Sequence, residues 1–272
     1  MKKFQYIYHL HEKICGHAKN TIDFIVEQAL KEGFKEIYFT EHCPLLNNQC
    51  IYRPTINEIA ELHKKIKMYN IELAGKLKIY FGYEAEFNKQ HADIFLQLIN
   101  DPFCEFVIFG NHYLGDMWNK KCKWVGSECF FPIDLQDYLE NLIAALEANV
   151  FSLIAHPDLW LTSYRKWDEH AKELTKKIIS YAKKYNVPLG FNANGYAHKL
   201  TKGDEFHYPC KYFWEEVAKS DAKVLIECDS HSPWTFNNQT MQQAYEYAVS
   251  LGLKNNLVEK IDIKWLKKTS NQ

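Results

Sequence analysis

The sequence predicts an α/β barrel, because strand-like apolar runs alternate with amphipathic helical stretches from end to end. A second observation favours a closed barrel over an open sheet. In an open doubly wound sheet polar ligands gather at one switch point, whereas here six of seven predicted strands deliver a histidine or carboxylate near their ends. The third is size. The chain has 272 residues with no Pro/Gly/Ser-rich linker and no repeat, so one domain over 1–272 is expected.

The elements follow in order. Tyr6-Ile7-Tyr8-His9 has β character; Ile22, Ile25, Val26, Ala29 and Leu30 then share one helical face, and Gly33 is placed to end that helix. Strand 37–40 precedes a helix over 57–69, with Ile59, Leu62 and Ile66 along one side. Strand 78–82, helix 92–99 and strand 106–109 come next. Residues 115–131 read as a long lid or rim loop carrying Trp118, Trp124 and Cys129. Leu135, Tyr138, Leu139, Leu142, Ile143 and Leu146 stripe a helix with Asp134 as its expected N-cap. Strand 152–155 leads to a helix containing Ala171, Leu174, Ile178 and Ala182. Strands 187–192 and 224–227, with helices 212–220 and 240–252, complete seven βα units.

Bulk composition excludes several classes. A net charge of −1 gives no basic field for nucleic acid or anionic membrane, and no stretch is long enough to span a bilayer. Arg53 and Arg165 are the only arginines, so each matters individually as a two-point phosphate clamp. The eight cysteines contain no C-x-x-C pair and the residues 1–6 lack the apolar core of a signal peptide, so reduced thiols in a cytoplasm are expected. Cys15, Cys43 and Cys228 lie close in sequence to candidate ligands.

Those candidates are His9, His11, His17, His42, Glu84, His112, His156, Asp229 and His231. Imidazoles and carboxylates hold zinc, iron or manganese, and a carboxylate bridges two cations where a neutral imidazole cannot. In His9-Leu10-His11, period-two alternation puts both rings on one side of an extended backbone. Any one of these histidines alone is more often a core or surface residue. Seven of twelve at or just past predicted strand ends is a pattern that packing alone does not produce; His63, His91, His170, His198 and His207 fall in helices or loops.

His9-x-His11, His17, Thr40-Glu41-His42-Cys43-Pro44, Gly82-x-Glu84, Gly110-x-His112, His156-Pro157-Asp158 and Asp229-x-His231 resemble, in this order, the motifs of the polymerase and histidinol phosphatase (PHP) superfamily. The segment from Gly33-Phe34 to Pro44 is similar to its stand-alone histidinol-phosphatase branch. The resemblance implies a distorted (β/α)7 TIM-like barrel with two or three divalent metal ions at the C-terminal rim of the strands. By resemblance, His9, His11, Glu84 and Asp229 hold the first ion. Glu84 bridges to a second ion held by His112 and His156, while His17, His42 and His231 hold the third. Departures from the pattern are Glu41 where aspartate is commoner, Ser230 where alanine is frequent, and a shortage of arginine. Asn192-Ala193-Asn194-Gly195 followed by Lys199 resembles a family segment with Lys199 in the place of an arginine.

The implied activity is hydrolysis of a small-molecule phosphate monoester. Glu84, Asp229 and His231 are the catalytic candidates, and Arg165 and Lys199 the candidate phosphate contacts. A water shared by two ions has its pKa lowered to about 7, and the hydroxide attacks phosphorus in line. His198 is a candidate to protonate the leaving oxygen. Nucleotides, small phosphodiesters or phosphotyrosine are the alternative substrates, and a non-catalytic metal-binding protein is the alternative class. An amidohydrolase-like C–N hydrolase is disfavoured because no lysine sits at a strand end. Oligomeric state is not legible.

Overall fold

A computed structural model of the chain describes residues 2–44, 53–87, 89–116, 121–126 and 130–266. Within them the strands are β1 (Tyr6–Leu10), β2 (Glu36–His42), β3 (Lys78–Ala85), β4 (Phe106–Phe109), β5 (Tyr113–Asp116), β6 (Lys121–Trp124), β7 (Phe151–Ile154), β8 (Leu189–Asn192), β9 (Val224–Glu227) and β10 (Leu257–Val258). The helices are α1 (Ile22–Glu32), α2 (Ile56–Glu72), α3 (Ala92–Ile99), α4 (Pro132–Glu147), α5 (Leu161–Tyr164), α6 (Glu169–Lys184), α7 (Ala193–Lys202), α8 (Lys211–Ala218) and α9 (Asn238–Ser250). Each expected strand and helix is present, with ends shifted by a few residues.

All pairings in the main sheet are parallel, in the order β1-β2-β3-β4-β7-β8-β9-β10. The sheet curls until its C-terminal rim closes: Cys228 N–H donates to Tyr8 O at 2.9 Å, and a parallel bridge joins Leu10 to Ser230. At the opposite end the two-residue β10 pairs with the start of β9. The seven-unit barrel is therefore distorted.

Alternation along the strands explains where core and site lie. Ile7, Ile37, Val107, Ile154 and Val224 face the helices and join the large core. Their neighbours Tyr8, Tyr38, Ile108, Leu153 and Leu225 form a separate inner cluster, with Tyr8 stacked on Tyr38 at 4.2 Å. Two residues further along the same inward faces come Thr40, Gly110, Ala155 and Glu227, and four residues beyond Tyr38 comes His42. The barrel interior is thus an apolar plug that becomes polar toward the rim. Burial of each large apolar side chain is worth about 1.5–3 kcal/mol, enough for the plug to hold the strands that carry the polar residues.

The structure corrects two expectations. Residues 115–131 are not simply a loop: β5 and β6 pair antiparallel, with Tyr113 opposite Trp124. Trp118 and Cys129 lie outside the described residues. Asp134 does not occupy the N-cap of α4; Phe131 does, Pro132 opens the helix, and the Asp134 carboxylate reaches back to Phe131 N–H at 2.7 Å. A proline whose missing N–H needs no partner starts the helix three residues earlier than the apolar stripe suggests. Cys15, Cys43, Cys210 and Cys228 are free thiols, and Cys50 and Cys129 lie outside the described residues. Among the described residues no helix is long and apolar enough to cross a membrane.

Candidate metal centre

All nine predicted donors converge at the closed rim, with Glu84 in the middle. Its Oε1 lies 3.3 Å from His9 Nε2, 3.1 Å from His112 Nε2 and 2.8 Å from His156 Nε2. Its Oε2 lies 3.5 Å from His11 Nε2 and 3.2 Å from His42 Nδ1. Asp229 Oδ1 stands 3.5 Å from both His9 Nε2 and His11 Nε2 and 3.2 Å from His231 Nδ1. His17 completes the outer side, its Nε2 at 3.4 Å from His42 Nε2 and its ring stacked on His231 at 4.5 Å.

The way the backbone delivers these groups differs from simple alternation. His9 has φ 67° at a register irregularity between Tyr8 and Leu10, so a bulge, not period two alone, turns both His9 and His11 inward. His156 (φ 29°) and Asp229 (φ 51°) also lie in the left-handed region. Each such non-glycine residue costs about 1–3 kcal/mol, which the surrounding packing must hold in place. Close approach matters at Gly110, where a Cβ would come within 2.5 Å of the His112 ring and 2.6 Å of Glu84 Oε1.

The donor set fits divalent cations. His9 Nε2, both ring nitrogens of His11, His42 Nδ1 and His231 Nε2 are buried and make no hydrogen bond, a condition that costs about 1–3 kcal/mol per group unless something else satisfies it. The electrostatics agree. Burial opposes a proton on His9, yet Glu84, Asp229 and Glu227 raise its pKa well above the ordinary value. Burial likewise works against His112 and His231, but Glu84 lifts the first to about 9 and Asp229 lifts the second to about 10. Burial works against ionising Glu84 and Asp229, and the surrounding imidazoles overcome it, holding both carboxyls well below their usual range. Burial and neighbouring positive charge push His11 and His42 down. Positive charge is what this cage demands, and protons supply it when cations do not.

Three residues given no supporting role from sequence hold the donors in place. Glu227 Oε2 accepts from His9 Nδ1 at 2.8 Å, and its Oε1 accepts from His156 N–H at 2.9 Å. Glu86 Oε1 accepts from His112 Nδ1 at 2.7 Å and pairs with Arg53. Asn192 Nδ2 donates to Asp229 Oδ2 at 2.8 Å while its Oδ1 caps α7 through Gly195 N–H at 2.7 Å. Such contacts fix which ring nitrogen faces the ion. Two signals were available: Glu86 follows Glu84 by two, just past the end of β3, and Glu227 follows Leu225 by two on the inward side of β9.

The two expected phosphate contacts point elsewhere. Arg165 is half exposed and forms an ion pair with Asp204 at 2.7 Å. Lys199 Nζ donates to the carbonyls of Asp204, Glu205 and His207 at 2.9–3.0 Å, so it pins a loop. Neither lines the cavity of about 590 Å³ that opens over the donors; Arg53, Lys202, His198 and His207 do. Burial lowers the pKa of His198, which disfavours the proton-donor role expected for it.

The PHP domain matches residues 8–194. The chain belongs to the PHP domain family. A probable histidinol-phosphatase of Deinococcus radiodurans is 28% identical over 235 residues, covering 83% of this chain and 85% of that protein. One from Schizosaccharomyces pombe is 25% identical over 248 residues, covering 81% and 78%. In fold, the chain is similar to histidinol phosphate phosphatase from Lactococcus lactis, solved with zinc, L-histidinol and phosphate, with a TM-score of 0.70, 18% identity and coverage of 95% and 98%. This PHP chain has the barrel architecture of that enzyme.

Proposed function

We infer that this PHP chain is a metal-dependent phosphomonoesterase acting on a small phosphate ester, with histidinol phosphate the first candidate. One observation carries the reading: Glu84 stands between two groups of imidazoles, one at each carboxylate oxygen, beneath a cavity of about 590 Å³. Named relatives along more than four-fifths of the chain support the substrate.

On this reading two or three divalent ions are held by His9, His11, Glu84 and Asp229, by Glu84, His112 and His156, and by His17, His42 and His231. Zinc, iron and manganese all suit such donors. When bound, the ions supply Lewis acidity and a nucleophilic water of lowered pKa. The chain's own residues do the rest. Glu227 and Glu86 orient His9 and His112 through their Nδ1 atoms. Arg53 and Lys202, which line the cavity, take the place first expected for Arg165 and Lys199 as cations facing the phosphoryl oxygens. His198 and Tyr208 shape the wall beside the leaving alcohol. A cytoplasmic setting, a part in histidine biosynthesis and one working unit over 1–272 belong to the same proposal.

The test is a phosphatase screen of metal-reconstituted protein over histidinol phosphate, sugar phosphates, nucleotides and phosphotyrosine. The expected result is a kcat/KM for histidinol phosphate at least about tenfold above a generic aryl phosphate, a difference of about 1.4 kcal/mol in transition-state binding. Parity between them removes histidinol phosphate and leaves the phosphatase class. Full metal content with no ester hydrolysed removes the enzyme.

A further inference from the structure

We propose that Cys15 supplies a sulfur donor to the ion held by His17 and His231, making the third position of the centre a mixed nitrogen–sulfur site. The Cys15 sulfur and the ring nitrogens of His17 and His231 all lie within 4.8 Å of one another, a spread that one ion can span. The same sulfur also forms a set with His11 and Glu41 whose donor atoms lie within 4.8 Å of one another. His11 is fully buried and neither of its ring nitrogens makes a hydrogen bond, and Glu41 Oε2 is likewise buried and unbonded. The sulfur therefore sits among donors whose bonding capacity is unmet.

The local backbone holds it there. Cys15 ends a 3-10 turn over Lys13–Cys15 and is fully buried. Its Sγ accepts from Ala18 N–H at 3.3 Å, an amide aimed at the sulfur from three residues on. That contact restrains the direction of Sγ, which also interacts with the His17 and His231 side chains. The His17 ring Nδ1 lies 3.2 Å from Cys15 O, so the same short segment orients both donors.

The inference rests on the metal-centre reading and adds a consequence for metal choice. The positions around Glu84 share a carboxylate and suit iron or manganese as well as zinc, whereas a thiolate is a soft ligand that disfavours manganese. The third position thereby discriminates against manganese, which the positions around Glu84 do not.

X-ray absorption at the zinc edge of the zinc-loaded full chain tests this. The expected spectrum contains a Zn–S distance of about 2.3 Å, at roughly one sulfur per three zinc ions. Cobalt-substituted protein is expected to show a sulfur-to-cobalt charge-transfer band in the near ultraviolet. The band disappears in Cys15→Ser, checked for folding by circular dichroism, and persists in Cys122→Ser. A wild-type zinc shell made only of nitrogen and oxygen overturns the proposal whatever the variants do. No zinc bound at all overturns the metal-centre reading with it. Since no substrate is used, a failure of the phosphatase assignment leaves these signals in place.

Discussion

Replacing Glu227 with glutamine isolates one buried contact that holds two metal ligands at once. In the wild type, Glu227 is fully buried and offers one oxygen to His9 Nδ1 at 2.8 Å and the other to His156 N–H at 2.9 Å. Asn192 Nδ2 donates to that second oxygen at 3.4 Å. Every neighbour is thus a donor. Glutamine keeps one acceptor oxygen and turns an NH2 group toward the other donors, so either His9 or His156 loses its tether. Gly190 makes room for this carboxyl group, because a Cβ there would lie 2.6 Å from it. A charge-assisted hydrogen bond is worth about 1.5–3 kcal/mol, and loss of such an orienting partner lowers metal affinity by about 10- to 100-fold, about 1.4–2.7 kcal/mol. The two scales agree. The assay is competition with a calibrated chelator, ion by ion, alongside the thermal midpoint of the metal-free protein. Affinity within about twofold of wild type, with the variant folded, would refute the claim that Glu227 fixes these ligands.

Four further outcomes are expected. Gly110→Ala displaces the His112 ring and Glu84 together, so the metal content measured by plasma emission falls by at least one ion per chain while the fold persists. In the metal-free protein His112 and His231 hold protons below their values of about 9 and about 10, so binding at each of their two positions releases one; chelator competition should show affinity at each position rising by about one log unit per pH unit from pH 7 to 8.5. Burial pushes the Asp158 carboxyl up to about 6, above the ~3.9 of an unfolded chain, so the folded form binds more protons in that window and stability falls as pH rises through it. Asp158→Asn should flatten that slope and raise stability at pH 7 by up to about 3 kcal/mol, read from urea midpoints at pH 4.5 and 7. Arg165→Ala should change kcat/KM by less than about twofold, since its ion pair is exposed, whereas Arg53→Ala should lower it by at least about tenfold.

The convergence of nine donors was legible because each sits beside a strand whose apolar pattern can be read locally. His42, Glu84 and Asp229 need only a strand end to be found. The cations were not legible, because their engagements are set by distant chain. Arg165 meets an aspartate 39 residues on, and Lys199 is consumed by three carbonyls of a loop that carries no signature. The β5–β6 hairpin was read as loop since its strands are only four residues long, too short for the alternation in Lys121-Cys122-Lys123-Trp124 to stand out. His9 illustrates a partial success: its ring points where expected, but through a bulge that period-two reasoning does not contain.

Asn192 makes the two sides of the cleft one mechanical piece. A single amide group restrains a carboxylate of the ion cage at one end and starts a helix at the other. Further along that helix a lysine anchors the strand of chain bearing His207 and Tyr208. Withdrawing the ions would loosen Asp229, then the helix start, and finally the surface against which an alcohol rests. Chelation should therefore speed amide hydrogen exchange in α7 and at 204–208, well beyond the ligands themselves.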